Sequence, residues 1–410
     1  MNGVVGVIGV DPQHLRTTVV LREGDGPAAR LAPVGDGVRR CVPNAADADG
    51  RWGSEAAAQR LAGARPTDAD TELYGWRCDA WSPEFRAGLH RRLTRYLGEV
   101  PPVPLHGYRT CVAVPPSGPA EADECWPEAE PVGPTDALLC RWLAGGPGAR
   151  AVVSVAVGDT WSLTGAYRLE DTADGPRVTR VGTLRRADGT GTWRSALLRR
   201  VLDRCPPAVL GPLVLAVLDG VEDFATGLRL GAPDRQVTWA GPLADILYTP
   251  LKLTPRQFMA GPETGPAVAG LTLAVQSAVR DLGAGAGDAE APLIVLGGPG
   301  AVWPLRLVLS PRLGILWQST DPCLDLACGA SWWPSLRGRF RGRSDGSGQA
   351  GPAAGGAGAT SAAGGLGAAG GPDGAQGISG PGEPVGPGSL AGTAPCGTSP
   401  YDDIPPWQRP

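Results

Sequence analysis

The strongest constraint in this chain is an order of elements that occurs twice. Val4–Val10 (VVGVIGV) is a short, nearly continuous β-branched run and predicts a strand buried on both faces. Thr17–Leu21 reads as its hairpin partner across the turn Asp11–Arg16, and a third strand around Arg30–Val34 completes a meander. Glu84–Leu97 then sets Phe85, Leu89, Leu93, Tyr96 and Leu97 at helical spacing between arginines, and Gly98 and two prolines end it. A strand over Thr110–Val114 and a short helix over Asp136–Leu143 follow. At Ala151 the order begins again: strands Ala151–Val157, Trp161–Leu169 and Arg177–Gly182, helix Trp193–Asp203, strand Leu293–Leu296, a helix through Leu305–Leu309, strand Ile315–Trp317, and a helix opening at Asp321-Pro322. The expectation is an α/β protein built by duplication, with two lobes and a cleft between them.

Glycine and proline set the limits of that fold. Residues 344–410 hold 19 Gly and 10 Pro in 67 positions, whereas the first 343 residues hold 75 in all. The body exceeds the size, roughly 250–300 residues, at which one core stops growing. The expected division is lobe I over 1–150, lobe II over 151–319, a closing helix over 320–336 that packs back on lobe I, an Arg-rich exit over 337–343, a disordered Gly/Ala/Pro-rich linker over 344–400, and an aromatic and acidic peptide over 401–410. The chain carries 37 basic and 41 acidic residues, and the surplus of acid lies in the tail, so there is no basic field to gather nucleic acid. The longest apolar run, Ala208–Leu218, contains Gly211 and Pro212 and is too short for a membrane span. Nine scattered cysteines without a C-x-x-C pair suggest neither a disulfide frame nor a zinc site, and the expectation is a cytoplasmic protein with reduced thiols.

Short motifs sharpen the expectation. Val7-Ile-Gly-Val-Asp11 with Thr17-Thr18, Trp52-Gly-Ser-Glu-Ala-Ala57-Ala-Gln59, Leu93-Thr-Arg-Tyr-Leu-Gly98, Cys111-Val-Ala-Val-Pro115, Pro134-Thr-Asp-Ala-Leu-Leu139, Gly158-Asp-Thr160-Trp-Ser162, Val295-Leu-Gly-Gly-Pro299 and Asp321 through Ala330 occur in this order. Together they resemble the nucleotide-binding domain of DnaK-type heat-shock chaperones, within the actin-like ATPase superfamily, over about residues 3–335. The resemblance implies a duplicated, ribonuclease H-like two-lobe fold. It also implies a nucleotide site at Asp11, Gln13, His14, Gly158, Asp159, Thr160, Gly297, Gly298 and Pro299.

The chemistry that the resemblance would bring is incomplete. Phosphoryl transfer needs loops whose N–H groups cradle phosphate, a cation on the transferring group, and carboxylates for Mg²⁺ and water. The family's lysine falls at Ala57, its glutamate at Gly133, and the second loop's aspartates at Val155 and Ser162. Asp159 would aim negative charge at the phosphates, and Pro12 has no N–H to offer. The only lysine in the chain is Lys252. The expected function is that of a non-hydrolysing scaffold that holds ATP or ADP weakly and without a dependable Mg²⁺ site. Its partners would be proteins bound through the terminal peptide and the lobe surface. An active ATP-dependent chaperone and an actin-like filament or sugar-kinase relative are the alternative readings. Several residues also have plainer roles open to them: Asp11 as a turn cap, Thr160 as a strand residue, Gly297-Gly298 as a close-packing turn, His14 as a loop residue, and Trp332-Trp333 as packing.

Overall fold

A computed structural model describes residues 6–341 apart from 14–15, 25–29, 36–40, 48, 63–81, 99–107, 115–128, 146–147, 174, 206–213 and 284–290. Residues 1–343 cluster as one unit and 344–410 as a second. The linker and the terminal peptide lie outside the described residues, as does His14.

The first sheet is built from β1 (Gly6–Pro12), β2 (Arg16–Glu23), β3 (Arg30–Pro33), β4 (Cys41–Pro43), β5 (Tyr108–Ala113) and β6 (Glu130–Val132). Its order is β3-β2-β1-β5-β6, with β4 pairing onto β2. The hairpins β1–β2 and β2–β3 are antiparallel, and β1–β5 and β5–β6 are parallel. The second sheet contains β7 (Ala151–Val157), β8 (Ser162–Glu170), β9 (Arg177–Ala187), β12 (Leu293–Gly297), β13 (Ile315–Gln318) and β14 (Phe340–Arg341). Its order is β13-β12-β7-β8-β9-β14. Again the meander is antiparallel and the two strands added beside its first strand are parallel. A short antiparallel pair, β10 (Val237–Thr238) and β11 (Lys252–Leu253), stands apart. The fold is therefore a mixed α/β structure with two mixed sheets.

Strand alternation explains how one sheet serves two cores. On β7, Val153, Val155 and Val157 enter one apolar cluster while Val152 and Ala156 enter another. The first cluster is covered by α4 (Gly191–Leu202), α5 (Val214–Leu230), α6 (Pro255–Met259), α7 (Gly265–Gly283) and α8 (Arg306–Leu313). At its centre Phe258 and Trp303 stack at 4.9 Å, and Trp193 meets both edge-on.

The other face of the second sheet meets the first sheet through two helices. α3 (Pro134–Leu143) lies against β7, and α9 (Asp325–Leu336) lies against β1, β2 and β5. Their shared cluster joins Val7 and Cys111 of the first sheet to Val152 and Val295 of the second. Two glycines set the spacing. A Cβ at Gly9 would overlap the carbonyl oxygen of Ala327, and one at Gly329 would overlap that of Ala137. Arg22 of β2 donates from Nε to the Ser331 carbonyl at 2.9 Å and lies 4.5 Å from the centre of the Trp332 ring. Away from this interface, α1 (Ser54–Ala62) and α2 (Pro83–Gly98) complete the first half, with Leu89 and Leu93 packed beneath β1 and β2.

Two differences from the sequence expectation concern the last segment. The α-helix begins at Asp325 instead of Pro322, because Pro322–Leu324 form a single 3₁₀ turn whose Pro322 carbonyl accepts the Gly298 N–H at 3.0 Å. Residues 337–341 of the Arg-rich exit are also part of the fold: Phe340 pairs with Val178 and packs on Trp333 at 5.1 Å, and Arg337 donates to Glu130 at 2.8 Å.

Candidate functional site

The two hairpin turns that lead out of β1 and β7 face each other. In the first, Gln13 N–H donates to the Arg16 carbonyl at 2.9 Å, which closes the turn after Pro12. In the second, Gly158 N–H donates to the Trp161 carbonyl at 2.8 Å and the Asp159 carbonyl accepts from Gly191 N–H, at the start of α4, at 2.6 Å. The turns touch through one side chain. Gln13 Nε2 donates to Asp11 Oδ1 at 2.5 Å, and Gln13 Oε1 accepts the Asp159 backbone N–H at 3.3 Å. A Cβ on Gly158 would lie 2.6 Å from Gln13 Oε1, so glycine is what permits this approach. Asn44 holds the turn from the other side, donating to the Gln13 carbonyl and accepting from Thr17 Oγ1 at 2.8 Å.

The rest of the charge at this junction comes from residues that the motifs did not mark. Arg194 of α4 donates to Asp159 Oδ1 at 3.0 Å and to Glu222 Oε1 of α5 at 3.2 Å. Arg16 of β2 reaches the same Glu222 oxygen from the first half. The result is a bridge Asp159–Arg194–Glu222–Arg16 that runs from the second turn to the first sheet. Arg16 also donates to Cys41 Sγ at 3.7 Å and to Cys323 Sγ at 3.4 Å. Ala57 is wholly buried in the core, and the junction's cations are Arg16 and Arg194, each 4% exposed.

Burial sets the proton states. It pushes the Asp11 carboxyl up to about 7; the Gln13 hydrogen bond and Arg16 oppose that rise, and the Asp159 charge adds to it. Burial also works to raise Glu222, but Arg16 and Arg194 outweigh it and hold that carboxyl below its ordinary range. Arg16 is held well above its ordinary value, where the charges of Glu222 and the two thiols overcome burial. Among the described residues no group of three or more His, Cys, Asp or Glu is placed to hold a metal ion.

The remaining motif residues fall into place around the junction. Gly298 has φ +97°, a conformation that glycine tolerates, and a Cβ there would lie 2.6 Å from the Val157 carbonyl oxygen. Gly297 is pressed against Leu138 and Asp325, and Pro299 is buried in a 3₁₀ turn beside Thr190 and Gly158. Thr160 is exposed and makes no part of the bridge. Val155 is core, Ser162 Oγ donates to the Asp188 carbonyl at 3.0 Å, and Gly133 caps the start of α3. Beside the bridge lies a cleft of about 560 Å³ lined by residues of both halves, including Arg16, Thr18, Glu222, Arg229 and Asp321.

Neither protein-family models nor the curated proteins contain a match to this chain. No helix among the described residues is long and apolar enough to cross a membrane.

Proposed function

We propose that the chain is a degenerate member of the DnaK-like, actin-like class that acts as a non-hydrolysing interaction scaffold. The observation that carries this reading is the contact between the two turns. The Asp159 N–H, the kind of group that would cradle a phosphate, is taken by Gln13, whose amide also donates to the Asp11 carboxyl, and the Asp159 carboxyl is paired with Arg194. The bridge cations are neutralised by Glu222 and Asp159, so they offer a polyphosphate no uncompensated charge. Support for the duplicated fold comes from the identical order and strand sense of the two meanders with their parallel additions. Two sheets separated by α3 and α9 suit a two-lobe arrangement with lobes at about 1–150 and 151–319 and a cleft over the helices. In this reading the partners are proteins, engaged through the lobe surface and the Tyr401–Trp407 segment, and the compartment is the cytoplasm.

Equilibrium dialysis of ATP and ADP with and without Mg²⁺ tests the proposal. Weak retention that Mg²⁺ does not strengthen is the expected result. Tight, Mg²⁺-dependent retention of ATP would return the protein to the class of active chaperones.

A further inference from the structure

The second sheet ends on a strand whose outer side is mostly open. β9 is 11 residues long, and β14 covers only Val178 and Thr179 of it. From Arg180 to Ala187 no strand among the described residues pairs on that side, so the edge presents backbone N–H and C=O groups to a further strand. The register against β8 slips between Thr164 and Ala166, and Gly182, at φ +73°, lies in the resulting bulge. A bulge and charged side chains keep a long edge from pairing indiscriminately; they leave it open to a strand of opposite charge.

The charge on this edge is positive. β9 reads RVTRVGTLRRA, with four arginines and no carboxylate. Arg185 pairs with Asp281 of α7 at 2.6 Å, and Arg177 stands opposite Glu170 of β8. Arg180 and Arg186 are exposed and enter no ion pair among the described residues. They stand opposite Tyr167 and Leu163, which belong to the cluster around α3 and α9, so both occupy the sheet face that α7 does not cover. Leu184 is exposed beside them, against Gly165. Carboxylates on the same side are engaged: Asp136 accepts from the Tyr167 hydroxyl at 2.8 Å, and Glu130 accepts from Trp333 and Arg337. With Asp188 and Asp281 set against Arg180, Arg185 and Arg186, the open stretch still keeps one positive charge, and exposed Arg341 of β14 adds another. β9 has no aromatic residue on which a base could stack, which favours a peptide over a nucleic acid.

We propose that the edge from Arg180 to Ala187 docks a partner protein, which adds an extended acidic segment as a further strand, with carboxylates on Arg180 and Arg186 and an apolar side chain on Leu184. The inference deepens the scaffold reading, on which it rests in taking the partner to be a protein.

Fluorescence anisotropy of the full chain with a short labelled peptide of alternating glutamate and valine tests it. The comparison arms are the same peptide with lysine for glutamate, the glutamate peptide N-methylated at alternate amides, and a uridine oligonucleotide. The glutamate peptide should bind and the lysine peptide should not. N-methylation, which removes N–H groups that a strand must donate, should abolish binding, and added salt should weaken it. Bound peptide should also protect the amides of residues 180–187 from hydrogen exchange. Arg180→Glu with Arg186→Glu should lose the glutamate peptide and gain the lysine one, a reversal that an unfolded variant could not show. If that variant does not fold, Arg186→Ser, which alters one exposed residue, should weaken binding severalfold. No binding of the glutamate peptide, equal binding of its N-methylated form, binding unchanged in the variants, or protection confined to other residues would overturn the inference. Oligonucleotide binding that the arginine variants abolish would assign the edge to nucleic acid, and self-association that they abolish would assign it to a second copy; either result overturns the inference. Tight, Mg²⁺-dependent retention of ATP would overturn the scaffold reading, and the peptide arms would still decide this one.

Discussion

Arg194 and Asp159 are nearly inaccessible to water, and they pair at 3.0 Å. Removing Arg194 takes a buried counter-ion from both Asp159 and Glu222, and breaking a buried pair in this way typically costs about 3–5 kcal/mol. Arg194→Met should therefore lower stability by an amount in that range in urea unfolding, and the double variant Arg194→Met with Asp159→Leu should recover much of it. If the single and the double variant are equally destabilised, the pair is not coupled as described. Protonation gives a second test at this scale. Asp11 and Asp325 are both pushed by burial from 3.8 up to about 7, although Arg141 opposes the rise at Asp325. Each carboxyl thus holds its proton more tightly when folded than when unfolded. Between about pH 4 and 7 the folded chain binds more protons than the unfolded chain, so stability falls as pH rises through that window and levels off above it. Glu222, held low, acts in the opposite sense below that window, where acid removes the stability its ion pairs provide. Asp325→Asn should flatten the decline between pH 4 and 7, as measured by urea midpoints across pH; an unchanged slope would place the proton elsewhere.

Among the elements, the pair α3 and α9 carries the structure, because both sheets bury a face against it. Gly9 and Gly329 set how closely these helices approach the first sheet and each other. Overpacking such a contact costs about 1–3 kcal/mol or more where backbone must move. Gly329→Val should lower Tm markedly, whereas Gly338→Val, where a side chain meets open space, should be close to neutral. Equal effects would contradict the close-packed interface. The elements legible from the sequence were those with a clean period. VVGVIGV and AVVSVAV read as buried strands, and the spacing of Phe85, Leu89 and Leu93 read as a helix within a residue or so of the observed bounds. α5 was hidden, because prolines at 206, 207 and 212 precede it and its apolar opening reads as part of the run Ala208–Leu218. The two-residue strands β10, β11 and β14 carry no periodic signal at all. At the site, motif spacing located Asp11, Gln13, Gly158 and Asp159. It could not locate Arg16, Arg194 and Glu222, because these meet only through tertiary packing of β2, α4 and α5.

For the whole molecule, the account turns on whether the junction between the two hairpin turns is open to phosphate. Geometry places Gln13 across it, Asp159 within it, and a bridge of ions beside it that links the first sheet to α4 and α5. Loss of a single preorganised donor at a transition state typically lowers a rate ~10²–10³-fold, and here several groups are absent or engaged. Restoring one of them, as in Ala57→Lys, should not produce turnover, since Ala57 lies within the core and Gln13 would still close the junction. The most direct test is steady-state phosphate release from ATP by the purified full-length protein. The expected result is a rate at background, with or without Mg²⁺, and unchanged by Asp11→Ala. Mg²⁺-dependent release that Asp11→Ala abolishes would contradict the account.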